Sequence, residues 1–206
     1  MITPSSAIAI IGFGEAGSIL GEDLARRGGS VRAYDIQLDE AIAAPRMRHR
    51  IELAGVDVAP TLQAALRGAK LVICAVNAAA TVQVARDSAM HLTPGQLYLD
   101  INGATPACKR EAAQRIEARG ACYLDGAITA PMGSQRLAAP LLLGGSKAAL
   151  MAPALNALGF AARAISADVG LPQSQAPSIT ADCAHDLARR EPAPVLDRRV
   201  PRGELP

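Results

Sequence analysis

Ile8-Ala9-Ile10-Ile11-Gly12-Phe13-Gly14-Glu15-Ala16-Gly17-Ser18-Ile19-Leu20-Gly21 is the stretch that decides the fold. An apolar run of strand type ends in glycines spaced G-x-G-x-x-G. A helical pattern follows, with Ile19, Leu20 and Leu24 on one face. This is the turn of a dinucleotide-binding βαβ unit. Gly12 permits a tight turn out of the strand. Gly14, lacking a Cβ, lets a pyrophosphate approach the backbone, and Gly17 lets the helix lie close on the strand. Gly21, one turn on, extends that smooth face. The helix N-terminus offers free N–H groups and the positive end of its dipole to phosphate.

A G-x-G-x-x-G by itself is weak evidence, and here the surroundings strengthen it. A second strand, Ser30-Val31-Arg32-Ala33-Tyr34, ends in Asp35. That acid stands where the motif expects a carboxylate for the ribose hydroxyls, about 20 residues beyond the turn. The plain alternatives are an ordinary βα turn and a solvated acid at a strand end.

The remaining chain alternates in the same way. Val56–Val58 reads as a short strand and Thr61–Leu66 as a short helix. Leu71-Val72-Ile73-Cys74-Ala75-Val76 is a continuous apolar strand of the buried parallel type. A helix over Ala78–Met90 and a strand over Gln96–Ile101 follow, separated by the turn Thr93-Pro94-Gly95. Pro106 opens a helix that runs to Arg119, since proline is tolerated in a first turn. Ala121–Asp125, Pro140–Gly145 and Phe160–Ile165 read as strands, with a helix over Ser146–Leu158. After Asp35 a helix is expected with Asp39 as cap and Pro45 interrupting it. The pattern is that of an α/β fold of Rossmann type, doubly wound, with a mostly parallel sheet.

Composition bounds the function. Half of the 206 residues are apolar, with no Trp, two Phe and three Tyr, so Ala, Leu, Ile and Val fill the core. So few aromatics argue against stacking platforms for single-stranded nucleic acid. A net charge of +2 with no long basic stripe implies no nucleic-acid or membrane partner. The cysteines at 74, 108, 122 and 183 form no C-x-x-C pair and only three histidines are present, so no metal site is expected. Scattered thiols suit a reduced, cytoplasmic setting. No apolar run approaches the ~20 residues of a membrane helix.

From about residue 168 the character changes. Six of the fourteen prolines lie in Asp168–Pro206 but only two of the eighteen glycines, with arginines among them. The expected division is therefore a dinucleotide-binding domain over 1–168 and an irregular or disordered Pro/Arg-rich tail over 169–206.

Three further blocks carry a resemblance. They are Ile73-Cys74-Ala75-Val76-Asn77, Asp100-Ile101-Asn102-Gly103-Ala104-Thr105-Pro106 and Asp125-Gly126-Ala127-Ile128-Thr129-Ala130-Pro131. With the glycine turn they resemble the NAD(P)-binding domain of the β-hydroxyacid dehydrogenases, a family that includes 3-hydroxyisobutyrate and 6-phosphogluconate dehydrogenases. The resemblance covers roughly residues 7–170. It implies cofactor contacts at Gly12, Phe13, Gly14, Glu15, Ala16, Gly17, Asp35, Ala75, Val76, Asn77 and Asn102. It implies substrate contacts at Asn102, Gly103, Thr129 and Ala130. The second block resembles the family's Asp-x-Ser-Thr-x-x-Pro segment, with Asn102 and Gly103 where two hydroxyl residues often stand. The third resembles Asp-Ala-Pro-Val-Ser-Gly-Gly, with Ala130-Pro131 stiffening what is usually flexible. NAD is the expected cofactor, because Asp35 would repel a 2′-phosphate. Arg32, in mid-strand, and Arg26 and Arg27, in the first helix, leave NADP open.

One element of the family pattern is missing. The family's acid/base is a lysine in a G-x-x-x-K-x-x-N segment on the long helix after the cofactor domain. Here the lysines are Lys70, Lys109 and Lys147, and none follows the last strand. Pro172 and Pro177 oppose a long helix at that place. A shift of reading frame near Gly170 would produce such a change. The expected function is thus an NAD(P)-dependent oxidoreductase domain of the type that oxidises small β-hydroxy acids, with its catalytic residue unassigned. The alternative is a dinucleotide-binding module without chemistry. An S-adenosylmethionine methyltransferase also uses a glycine turn and an acid after the second strand, but the later blocks do not suit it. A missing second domain would leave an apolar docking face and leaves a homodimer open.

Overall fold

The computed structural model describes residues 2–3 and 5–172. The tail expected over 169–206 lies outside the described residues apart from 169–172. Eight strands form one sheet in the order β3-β2-β1-β4-β5-β6-β7-β8. The first six are β1 (Ala7–Ile11), β2 (Ser30–Tyr34), β3 (Asp57–Val58), β4 (Leu71–Cys74), β5 (Leu97–Asp100) and β6 (Cys122–Ile128), all parallel. β7 (Pro140–Gly144) runs antiparallel to β6, and β8 (Ala161–Ser166) runs parallel to β7. This is the mostly parallel, doubly wound α/β sheet that the alternation of elements implies.

Helices cover both faces. One face carries α1 (Glu15–Arg26), α2 (Ala44–Leu53) and α7 (Ala148–Ala157) over a core that includes Ile8, Ile10, Leu20, Leu24, Leu99 and Leu124. The other carries α3 (Leu62–Leu66), α4 (Thr81–Ala89) and α5 (Pro106–Glu117) over Ala9, Ile11, Val72, Cys74, Tyr98 and Tyr123. Alternate residues of each strand serve alternate faces, as the two-residue strand period requires. All four residues of β4 are buried because both its faces are covered.

Local chemistry sets the helix boundaries. Thr61 caps α3 by accepting from the Ala64 N–H, and Thr105 caps α5 with Pro106 in its first turn. Beyond β2 the structure corrects the sequence reading. Asp35 itself caps a 3-10 turn over Ile36–Asp39 by accepting from Gln37, and Asp39 ends that turn. Pro45 lies in the first turn of α2 and does not interrupt it. Residues 131–139, unassigned from sequence, form α6 (Met132–Gln135) and a 3-10 turn. Arg136 there adopts a φ of 53°, a rare region for a residue with a Cβ. Its guanidinium grips Asp23 of α1 at 2.7 and 2.9 Å and Glu22 at 2.6 Å. Burial alone would raise the Asp23 carboxyl, but the bonds from Arg136 outweigh it and hold it below its ordinary value.

The α5 face of the sheet carries a charge cluster in its interior. Lys109 of α5 is fully buried, and its ammonium donates to the carbonyl and to Oδ1 of Asp100, each at 2.9 Å. Asp125 Oδ1 lies 3.2 Å away as an ion-pair partner. Asp100 also accepts from the Tyr123 hydroxyl at 2.6 Å, and Tyr123 stacks on Tyr98. Burial disfavours a charged amine, yet the two carboxylates outweigh it and raise the lysine above its ordinary value. Among the described residues, no helix is long and apolar enough to cross a membrane.

Two outcomes test this architecture. A Cβ on Gly17 would lie 2.0 Å from the Gly12 carbonyl oxygen. Gly17→Ala is expected to cost about 3 kcal/mol or more in urea unfolding, and a loss below about 1 kcal/mol would refute the close packing of α1 on β1. Lys109→Met leaves two buried carboxylates uncompensated and is expected to cost about 3–5 kcal/mol. In the wild type the lysine's contribution is full below its unfolded value of about 10.4 and is lost as pH rises through the higher folded value. Chemical denaturation at stepped alkaline pH should show that loss in the wild type and not in Lys109→Met.

Candidate functional site

The register places the last residues of the central strands level with one another. Ile11 pairs with Tyr34 and Cys74, Cys74 with Asp100, and Asp100 with Asp125. The loops that follow therefore gather along one edge of the sheet. β1 and β4 are neighbours, yet α1 and α4 leave to opposite faces. The edge between them is a topological switch point, where such sheets open a crevice for a ligand.

Gly12 sits in that crevice with φ +85°, and a Cβ there would lie 2.5 Å from the Ala75 carbonyl oxygen and 2.8 Å from Val76. The turn after β1 and the loop after β4 thus touch, and only glycine allows it. Gly14 differs from its neighbours: it is exposed, with no atom within 4 Å of where a Cβ would stand. The space above the first turn of α1 is open at the point where its unpaired N–H groups emerge. Glu15 is exposed and Ala16 half-buried beside it. Phe13 points its ring into the core, fully buried, and its contribution to the turn is its backbone.

That backbone is held by Asp35. The Phe13 N–H donates to Asp35 Oδ2 at 2.7 Å across the gap between β1 and β2, and Gln37 N–H donates to Oδ1 at 3.0 Å. Each carboxylate oxygen accepts one of these bonds, and an ionised carboxylate has about four lone-pair sites. Asp35 can therefore fix the turn and still accept hydroxyls. Arg32 turns away from the crevice, its guanidinium capping carbonyls of Ala64 and Arg67 at the end of α3. Arg26 pairs with Glu22.

The other end of the crevice is lined by the loops after β4 and β5. Asn102 is buried, accepts from the Val76 N–H at 2.7 Å and donates to Cys74 Sγ at 3.4 Å. Its own N–H donates to Asp100 Oδ1, so the loop is tied to the Lys109 cluster. Asn77 is exposed, and its carbonyl caps the turn that opens α4. Gly103 is exposed, while Thr129 and Ala130 are half-buried just beyond β6. Thr129 N–H bonds Pro140 and continues the β6–β7 ladder. Burial first, and then the Asp100 charge, push the Cys74 thiol up to about 12, so it stays a neutral thiol. Burial likewise pushes Tyr98 and Tyr123 well above the ordinary phenol.

No lysine is free at this edge. Lys109 donates twice to Asp100 and is ion-paired with Asp125 inside the core. Lys70 precedes β4 at the opposite end of the strands, and Lys147 lies before α7, near Cys122 at the start of β6. Among the described residues, no group of three or more His, Cys, Asp or Glu could hold a metal. Lys109 was open to sequence reading as a core residue, because it shares the buried face of α5 with Ala112, Ala113 and Ile116 at helical spacing. Arg50, which reaches Gly14 from α2, had no such signal, because its placement depends on how α2 packs.

Comparison with known proteins agrees with this geometry. Residues 7–166 match the family model of the NAD binding domain of 6-phosphogluconate dehydrogenase. A conserved hypothetical protein from Sinorhizobium meliloti superposes with a TM-score of 0.78 at 31% identity, over 84% of this chain and 57% of that one. An imine reductase from Myxococcus stipitatus, solved with NADP+, gives 0.66 at 25% identity, over 82% and 57%. The 3-hydroxyisobutyrate dehydrogenase of Mycobacterium tuberculosis, solved with L-serine, gives 0.70 at 22% identity, over 82% and 57%, a likeness of fold. The chain spans less than two thirds of the length of each of these proteins. No curated protein matches it. A doubly wound sheet, a glycine turn open over α1 and a family match over both mean that the chain belongs to the NAD-binding domain family of 6-phosphogluconate dehydrogenase.

Proposed function

We propose that this domain binds NAD along the strand-end crevice and forms the cofactor half of a hydroxyacid dehydrogenase-type site. The observation that carries the reading is the open space over Gly14 at the N-terminus of α1, beside a carboxylate that already fixes the turn. The diphosphate would lie on the N–H groups from Phe13 to Gly17. The adenosine ribose would lie against Asp35, and the nicotinamide would run toward Ala75, Val76, Asn77 and the Asn102 loop. Asp35 favours NAD over NADP, because a 2′-phosphate would meet its negative charge and Arg32 is turned away.

NAD, when bound, supplies the acceptor for a hydride leaving a carbinol carbon. The chain's own residues position and enclose. Asn102 fixes the Val76 backbone, Gly12 keeps the two loops in contact, and Phe13 anchors the turn in the core. A small hydroxy acid would meet the backbone at Gly103 and the Thr129 hydroxyl, with Ala130 beside it. A hydroxyl that loses hydride must also lose a proton to a titratable group within reach. None of Lys70, Lys109 and Lys147 is placed to take it, which favours a second reading, cofactor binding without turnover by this chain alone.

Calorimetric titration tests the dinucleotide binding that both readings share. Saturable binding of NAD and NADH, with NADP at least about tenfold weaker, is expected. Asp35→Asn should narrow that discrimination by raising NADP affinity. No binding of any dinucleotide at millimolar concentration would refute the reading. Gly14→Val should leave the fold within about 1 kcal/mol of wild type while weakening NAD at least about tenfold. Assay of the chain with 3-hydroxyisobutyrate and other small hydroxy acids should show no NADH formation, and steady turnover would overturn the binding-only reading.

A further inference from the structure

Arg50 lies in the last turn of α2, outside the glycine motif and outside every block that resembles the family. Its guanidinium nonetheless reaches the first turn of α1. Nη2 donates to the Gly14 carbonyl at 3.1 Å and to the Ser18 hydroxyl at 3.1 Å. These two contacts use one amino group of the fork. Among the described residues, Nε and Nη1 make no hydrogen bond or ion pair. Arg50 is exposed, beside a groove of about 490 Å³ between α1 and α2 that gives the side chain room to pivot.

The position is specific. Gly14 is the residue over which the crevice is open, so the cation stands one residue's width from the space a diphosphate would fill. Met47 and Ile51 seat α2 in the core and fix the height at which Arg50 leaves the helix. Glu15 is exposed in the same turn, and its charge alone would oppose an anion there. Arg50 offsets that charge. A guanidinium with an unused donor edge matches the geometry of phosphate oxygens.

We infer that Arg50 is a phosphate-binding residue, which keeps its hold on Gly14 and Ser18 and turns its free edge toward the diphosphate bridge of the dinucleotide. This rests on the dinucleotide reading given above. The ligand feature recognised is the diphosphate shared by NAD, NADH and ADP-ribose, and adenosine lacks it. Arg50 thereby adds a long-range, salt-sensitive attraction to the short-range N–H contacts of the turn.

The test is titration of the full chain and of Arg50→Gln and Arg50→Lys with NAD, ADP-ribose and adenosine, the last by ligand-observed NMR, at stepped salt. Arg50→Gln should weaken NAD and ADP-ribose about tenfold, leave adenosine within twofold, and flatten the dependence of NAD affinity on salt. Arg50→Lys should fall between, because it keeps the charge and loses the fork. Unchanged NAD affinity in Arg50→Gln overturns the role of Arg50. So does an equal loss for adenosine, which would mark a shift of α2. If the wild type binds adenosine as tightly as ADP-ribose, the turn takes no diphosphate and the inference falls. If the wild type binds none of the three, the dinucleotide reading itself falls.

Discussion

The interaction on which the rest of the structure depends is the burial of one lysine between two aspartates at the ends of β5 and β6. Parallel strands have no hairpin to fix their relative height, and here Lys109 fixes it from above. Its ammonium joins the carbonyl and carboxylate of Asp100 to the carboxylate of Asp125, its register partner. Charged groups in dry protein are tolerated when they are paired and hydrogen-bonded. The Tyr123 hydroxyl and the backbone N–H groups of Asn102 and Gly170 supply further donors, while Asp125 Oδ1 has the lysine's ion pair alone. Each of these bonds also fixes a loop. Through Asn102 the cluster reaches Val76, and through Gly170 it holds the segment that leaves the sheet after β8.

This explains which parts of the molecule were legible in the sequence. The βαβ turn could be read because its constraints are local: a strand of β-branched residues, a helix of matching period, and glycines where Cβ atoms would collide. β4 could be read because a parallel strand covered on both faces must be apolar throughout. The loop over 131–139 could not, since its course depends on Arg136 meeting Asp23 and Glu22 far away in the chain. A carboxylate pair on α1 and an arginine in a loop have no common pattern in sequence. Asp35 was only half read. Its place after β2 marked it for a ribose, while its bonds to Phe13 and Gln37 need the tertiary structure.

The two ends of the crevice differ in what they leave available. At the Gly14 end, Asp35 keeps lone pairs, Gly14 keeps open space and Arg50 keeps a donor edge, so polar groups remain available there after folding. At the other end folding consumes nearly everything polar. Asn102 is divided between Val76 and Cys74, Thr105 caps α5, Lys109 is enclosed, and Cys74 and Tyr123 are held neutral by burial. The Thr129 hydroxyl, unbonded among the described residues, and the backbone at Gly103 are what remains. A site that moves a proton needs a group with an accessible titration near neutrality, and one that only holds a ligand does not. The asymmetry therefore favours the reading proposed above, in which this domain would grip a dinucleotide by its phosphates and adenosine and present the opposite end on a floor with few polar groups left unbonded. On that reading, proton transfer at that end would need a group other than Lys70, Lys109 and Lys147, held near the loops that Lys109 joins.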